Sequence, residues 1–64
     1  MAEAGMATTL VATIIAESKL RRKVDFRKMH PRERDYWYAR AEQAFQGDGH
    51  QWALVEAGKR VFDN

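Results

Sequence analysis

The chain has 64 residues, a formal net charge of +2 and no cysteine. A chain this short forms at most one domain, and folding buries only about 60% of the surface that the unfolded chain exposes. Such a core seldom contributes more than roughly 3–5 kcal/mol, and without cysteine no disulfide can add to it. We therefore predict one small domain over residues 1–64 that gains stability from a partner or from a second copy.

Apolar residues recur at helical spacing in the first third of the chain. At 100° per residue, one side of a helix collects Leu10, Val11, Ile14, Ile15 and Ser18. Ala12 and Ala16 fall on the opposite side. The pattern predicts an amphipathic first helix over residues 9–22, with Thr8 or Thr9 as its N-cap.

Four further expectations concern this first segment. Residues 1–7 offer nothing to bury and are expected to be frayed. The β-branched residues also suit a strand over residues 10–15, which stays an alternative. Self-association through the apolar face of helix 1, which would give a homodimer, is a third hypothesis and is compatible with either kind of partner. The apolar run over residues 7–16 is too short to span a bilayer, so we expect a cytoplasmic protein with no membrane contact.

Positive charge is concentrated in the middle of the chain. Residues 19–34 hold eight bases and two acids, whereas the rest of the chain holds three bases and seven acids. Apolar and charged residues alternate over residues 24–29, which predicts an extended connector between the first two helices. Six bases are predicted to meet an acidic protein surface or nucleic-acid phosphates: Lys19, Arg21, Arg22, Lys23, Arg27 and Lys28.

The pair His30-Pro31 predicts the start of a second helix. Proline disfavours helical geometry in the residue before it and suits the first helical position, so His30 becomes the N-cap. The segment Gly47-Asp48-Gly49 is expected to end the helix, with Gly47 or Gly49 in a left-handed conformation. The predicted buried stripe consists of Trp37, Ala41, Ala44 and Phe45.

A third helix is predicted over residues 50–62. Its expected core face consists of Leu54, Val55, Gly58, Val61 and Phe62. Gly58 at the centre of this face suggests a close helix crossing. The chain is thus predicted to be all-α, a small three-helix domain with an extended basic connector between helices 1 and 2.

Aromatic and basic residues on the last two helices suggest a binding surface. Tyr36 points away from the predicted core stripe, with Arg32 and Arg40 one turn before and after it. Trp52 is similarly displaced from the core face of the third helix. Arginine, tyrosine and tryptophan are enriched in binding hot spots, so these four residues are predicted to contact a partner. Alternatively, the arginine side chains cover Tyr36 and Trp52 caps the thin core.

No catalytic or ligand-binding motif is recognisable in the sequence. His30 and His50 each lie at the start of a predicted helix and are too few to hold a metal, which needs three or four ligands. We therefore expect no enzyme activity, cofactor or metal. The predicted function is protein binding, as an accessory subunit or a small regulator or inhibitor of the type that mobile elements encode. The alternative is a nucleic-acid-binding protein that contacts phosphates through residues 19–34.

Overall fold

Three helices make up most of the protein. The computed structural model describes residues 5–62. Its elements are α1 at Met6–Leu20, a 3-10 helix at Phe26–Lys28, α2 at Pro31–Gln46 and α3 at Gln51–Phe62. The described range contains no strand, which rules out the strand alternative for residues 10–15. The prediction of an all-α three-helix domain is confirmed.

The ends of α1 differ from the predicted bounds of residues 9–22. The helix begins at Met6 after an extended Gly5, so neither predicted threonine is its N-cap. Met6 and Ala7 are therefore helical, while residues 1–4 of the segment expected to be frayed lie outside the described residues. The helix ends at Leu20 because the next residue, Arg21, adopts a left-handed conformation.

α1 is the central helix of the domain. Its buried residues lie on more than one side: Val11, Ala12, Ile14, Ile15 and Ala16. The prediction that Ala12 and Ala16 face outward is wrong, since both are completely buried. The reason is that both α2 and α3 pack against α1 and cover it over a wide arc. The apolar side on which the predicted homodimer depended is therefore covered by the chain's own helices.

The core is built largely from small side chains. Its members are Val11, Ala12, Ile14, Ile15, Ala16, Phe26, Ala41, Ala44 and Ala53. Five of these nine are alanines, so the helices approach closely but each contact buries little apolar area. A core of this composition leaves the domain dependent on its few large buried side chains.

An extended connector was predicted between α1 and α2, but part of it is helical. Residues 26–28 form a turn of 3-10 helix, and the Asp25 side chain caps it by accepting the backbone N–H of Arg27 at 3.0 Å. Phe26 is buried and packs edge-on against Tyr38, with ring centroids 5.3 Å apart. The backbone N–H of Val24 donates to the Glu17 carboxylate at 3.2 Å. These contacts give the connector a defined shape.

The predicted ends of α2 are confirmed. The Nδ1 atom of His30 accepts the backbone N–H of Arg32 at 3.1 Å, and Gly47 ends the helix with φ 81°. Ala41 and Ala44 are buried as expected. Phe45 is not part of the core, because its side chain is half exposed.

α3 buries a different face from the one predicted. Ala53 is buried, while Leu54 and Ala57 pack at the margin of the core. Val55, Val61 and Phe62 are 61%, 57% and 85% exposed, so the prediction that they belong to the core is wrong. α3 rests on its neighbours through small residues, which leaves most of its large apolar side chains outside.

Gly58 does not mark a close helix crossing. A β-carbon added there would have no heavy atom of a neighbouring element within 4 Å. We expect Gly58→Ala to raise the free energy of unfolding by about 0.5–1 kcal/mol, because alanine is the better helix former. Urea titration followed by circular dichroism tests this. A loss of stability would mean that the added methyl group meets a neighbouring side chain.

Candidate binding surfaces

The first candidate surface is the basic loop, defined here as residues 19–28. All six cations predicted to bind a partner are exposed in this segment. Lys19 lies in the last turn of α1, and the others follow on the connector. Because the buried Phe26 lies within the same segment, the loop is held to the body of the protein while its cations point into solvent.

Arg21 occupies a conformation that normally favours glycine. Its φ of 56° and ψ of 39° are left-handed, and its backbone N–H donates to the carbonyl of Glu17 at 2.8 Å. For a residue with a β-carbon this conformation costs roughly 1–2 kcal/mol. An arginine therefore stands where a glycine would cap α1 more favourably, and its side chain is exposed.

Arg27 differs from the other cations of the basic loop because it is paired. Its Nε and Nη2 atoms donate to the two carboxylate oxygens of Asp25 at 3.1 and 3.2 Å. The side-chain hydrogen bond from Arg27, followed by that from its backbone N–H, holds the pKa of the Asp25 carboxyl below its usual value. Much of the Arg27 charge is thus satisfied within the loop and contributes less to an external partner.

Beside the basic loop, the connector and the start of α2 form a shallow concavity. Its polar lining carries charges of both signs and consists of Arg22, Lys23, Asp25, Lys28, His30 and Glu33. Asp25 offsets the charge of Arg27, and Glu33 adds a carboxylate that forms no salt bridge among the described residues, so both lower the positive potential that a phosphate would meet. The mixture therefore suits a protein surface better than a nucleic-acid backbone.

The second candidate surface is the pair Tyr36 and Arg40 on α2. The Nη2 atom of Arg40 donates to the Tyr36 hydroxyl at 3.1 Å, and its guanidinium carbon lies 4.7 Å from the centre of the Tyr36 ring. Arg40 also donates to Gln43 at 3.2 Å. Arg32 is exposed, and its backbone N–H donates to His30, but within residues 5–62 its guanidinium has no hydrogen bond or ion pair. The predicted three-residue ridge is thus a linked pair with a separate arginine.

Trp52 belongs to a third surface, a groove between α1 and α3. Its lining residues are Ile14, Glu17, Ser18, Trp52, Val55, Glu56, Lys59 and Arg60. Neither the basic-loop cations nor the arginines and tyrosine of α2 line this groove. The structure therefore places Trp52 apart from the residues with which it was predicted to act.

The comparisons with known proteins add no relative. No family model matches this chain, and no curated protein or solved structure matches it. Within residues 5–62, no helix is long and apolar enough to cross a membrane. Among the same residues, no three metal-ligating side chains cluster.

Sequence reasoning missed the exposed apolar side of α3, because it assigned these residues to the core. The signal was present in their spacing. Trp52, Val55 and Phe62, together with Lys59, follow the alternating three- and four-residue steps that helices use to pair with other helices. The core face predicted for α3 overlapped this stripe at Val55 and Phe62, and only the positions of α1 and α2 separate the two faces.

Proposed function

We propose that this protein binds another protein by docking the basic loop onto an acidic surface, and that it has no enzymatic activity of its own. The proposal is carried by four exposed cations on a connector of defined shape, none of which forms a salt bridge in the described part of the chain: Arg21, Arg22, Lys23 and Lys28. A preformed loop loses less conformational entropy on binding than a flexible one.

The backbone conformation of Arg21 supports a role for the basic loop in partner binding. Backbone strain tends to persist where a side chain is needed for function, and here glycine would relieve the strain. Arg32 and the Tyr36–Arg40 pair extend the proposed contact onto α2. Arg32 lies two residues after His30, which lines the concavity. Such a protein would act as an accessory subunit, regulator or inhibitor. A cytoplasmic location is part of the proposal, in keeping with the absence of cysteine.

Nucleic-acid binding is the second candidate. The four unpaired cations favour it, because phosphate contacts need exposed lysine and arginine. The carboxylates of Asp25 and Glu33 in the neighbouring concavity weigh against it. A labelled DNA duplex and a labelled single strand at about 50 mM salt separate the two candidates, since phosphate binding is strongest at low salt. We expect no binding; a salt-dependent affinity for either strand form would favour the second candidate.

The proposal is tested by removing charge from the basic loop. A partner captured from the host is first identified and purified, and its affinity is then measured by calorimetry. Lys23→Ser with Lys28→Ser is expected to weaken binding about tenfold, since two exposed ion pairs contribute roughly 0.2–1 kcal/mol each. Gln46→Glu with Gln51→Glu is the matched control, because it also lowers the net charge by two but at exposed positions outside the loop. Equal losses in both variants would contradict docking through the loop.

Arg21→Gly gives an independent prediction, because it should stabilise the fold and weaken partner binding. Glycine relieves the left-handed strain, so the free energy of unfolding should rise by about 1 kcal/mol while partner affinity falls. Arg22→Gly removes the same charge from a neighbour whose φ is not positive, so it should weaken binding without stabilising the fold. Urea titration and calorimetry on both variants give the comparison. Tighter or unchanged binding by Arg21→Gly would exclude Arg21 from the interface.

A further inference from the structure

The exposed side of α3 carries an apolar stripe that the proposed function does not use. Trp52 and Val55 are 47% and 61% exposed, and Phe62 is 85% exposed. With Lys59 they fall within an arc of about 80° at 100° per residue. The stripe runs for about 15 Å along the helix, given a rise of about 1.5 Å per residue. Ile14 of α1 lines the groove beside it.

The charges beside the stripe are balanced and ordered. Glu56 precedes Lys59 and Arg60 along α3, and Glu17 of α1 lines the same groove. Two acids and two bases give this surface no net charge, in contrast to the basic loop. An acidic partner would therefore be attracted to the basic loop and not to the stripe.

We propose that the stripe is the contact surface for a second copy of this chain, with the two α3 helices packed antiparallel about a two-fold axis. In this arrangement Trp52 of one copy faces Phe62 of the other, and Val55 packs on the aliphatic part of Lys59. The antiparallel order brings Glu56 of each copy towards Lys59 of its mate. A single surface thus provides both halves of a complementary contact, as two-fold symmetry requires.

The thin core is the second argument for a dimer. Five of nine core residues are alanines, and Ala53 is the one buried side chain among the described residues of α3. Pairing would cover the large apolar side chains that the monomer leaves in water. Stable interfaces bury about 1,200–2,000 Å² in total. The whole chain exposes 4942 Å², so the area that one helix face of each copy can bury lies at or below the low end of that range. The expected dimer is therefore weak and dependent on concentration.

Sedimentation equilibrium of the purified full chain tests the proposal. The weight-average mass should rise from the monomer value of 7.4 kDa towards twice that value. We expect the rise to occur between about 10 µM and 500 µM, because assembly of a weak dimer follows mass action. A mass of one chain at every concentration would overturn the proposal.

Two valines on α3 provide a matched pair of variants. Val55 lies in the stripe, whereas Val61 is similarly exposed but lies more than about 100° away around the helix. Val55→Glu should raise the dimer dissociation constant at least about tenfold, as truncation of a central contact does. Val61→Glu should change it less than about twofold, because peripheral positions contribute little. Equal effects of the two variants would place the contact elsewhere.

A charge exchange tests the antiparallel geometry. Glu56→Lys and Lys59→Glu should each weaken self-association, because each places like charges opposite one another. Mixing the two variants should restore association, since position 56 of one copy and position 59 of the other then always carry opposite charges. Failure of the mixture to associate would overturn the antiparallel arrangement. These measurements use the protein without any partner and leave the basic loop unchanged, so their outcome is independent of the proposed function.

Discussion

Ile15→Ala is expected to lower the free energy of unfolding by about 2–5 kcal/mol. Ile15 is completely buried at the centre of α1, which contacts both α2 and α3. Truncation removes apolar contacts and leaves a cavity that the surrounding alanines are too small to fill. Since the core of a domain of this size contributes roughly 3–5 kcal/mol, the variant should lose a large part of its stability at about 25 °C.

Far-ultraviolet circular dichroism during urea titration measures this effect. Ile15→Val deletes one methyl group at the same site and should cost only about 0.5–1.5 kcal/mol. Val55→Ala deletes side-chain atoms from an exposed site on α3 and should change stability by less than about 0.5 kcal/mol in the monomer. A folded Ile15→Ala variant with near-native stability would contradict the placement of α1 at the centre.

Phe26→Ala is expected to lower the free energy of unfolding by about 3 kcal/mol or more. Phe26 is the one described core residue outside the three α-helices, and its ring meets the edge of Tyr38 at an interplanar angle of 69°. Edge-to-face aromatic pairs contribute about 0.5–1.5 kcal/mol beyond area burial. Without this ring the basic loop loses its attachment to the core.

Amide hydrogen exchange separates the effect on the loop from the effect on global stability when loop amides are compared with the core amides of α1 in the same variant, because core amides exchange through global unfolding. In the Phe26→Ala variant we expect the amides of Val24 and Arg27 to lose protection, because their hydrogen bonds depend on the shape of the connector. Phe45→Ala removes a half-exposed ring from α2 and serves as the control. If Phe26→Ala left these amides as protected as Phe45→Ala does, the connector would be held by its polar contacts alone.

The two ends of α2, which short segments encode, were correctly predicted from the sequence, whereas the N-cap of α1 was not. His30-Pro31 and Gly47 define α2 because they act through local geometry, a proline that suits the first turn and a glycine that accepts a positive φ. The all-α class follows from helical periodicity and from the absence of any pair of strand patterns. The concentration of bases over residues 19–28 is likewise a property of the sequence, and the structure adds only that they are exposed.

Which apolar residues become buried was decided by the tertiary structure. Periodicity groups residues on one side of a helix, but it does not specify how many neighbouring helices that helix has. Every helix touches the other two, but α1 makes the most extensive contacts, so Ala12 and Ala16 are buried with the larger residues. α3 packs less extensively on α1 and α2 and leaves Val55 and Phe62 in water. Alanine fits both a buried contact and an exposed surface, so in a core made mostly of alanine the helix packing, and not the hydrophobic pattern, determines which surfaces stay free to bind a partner.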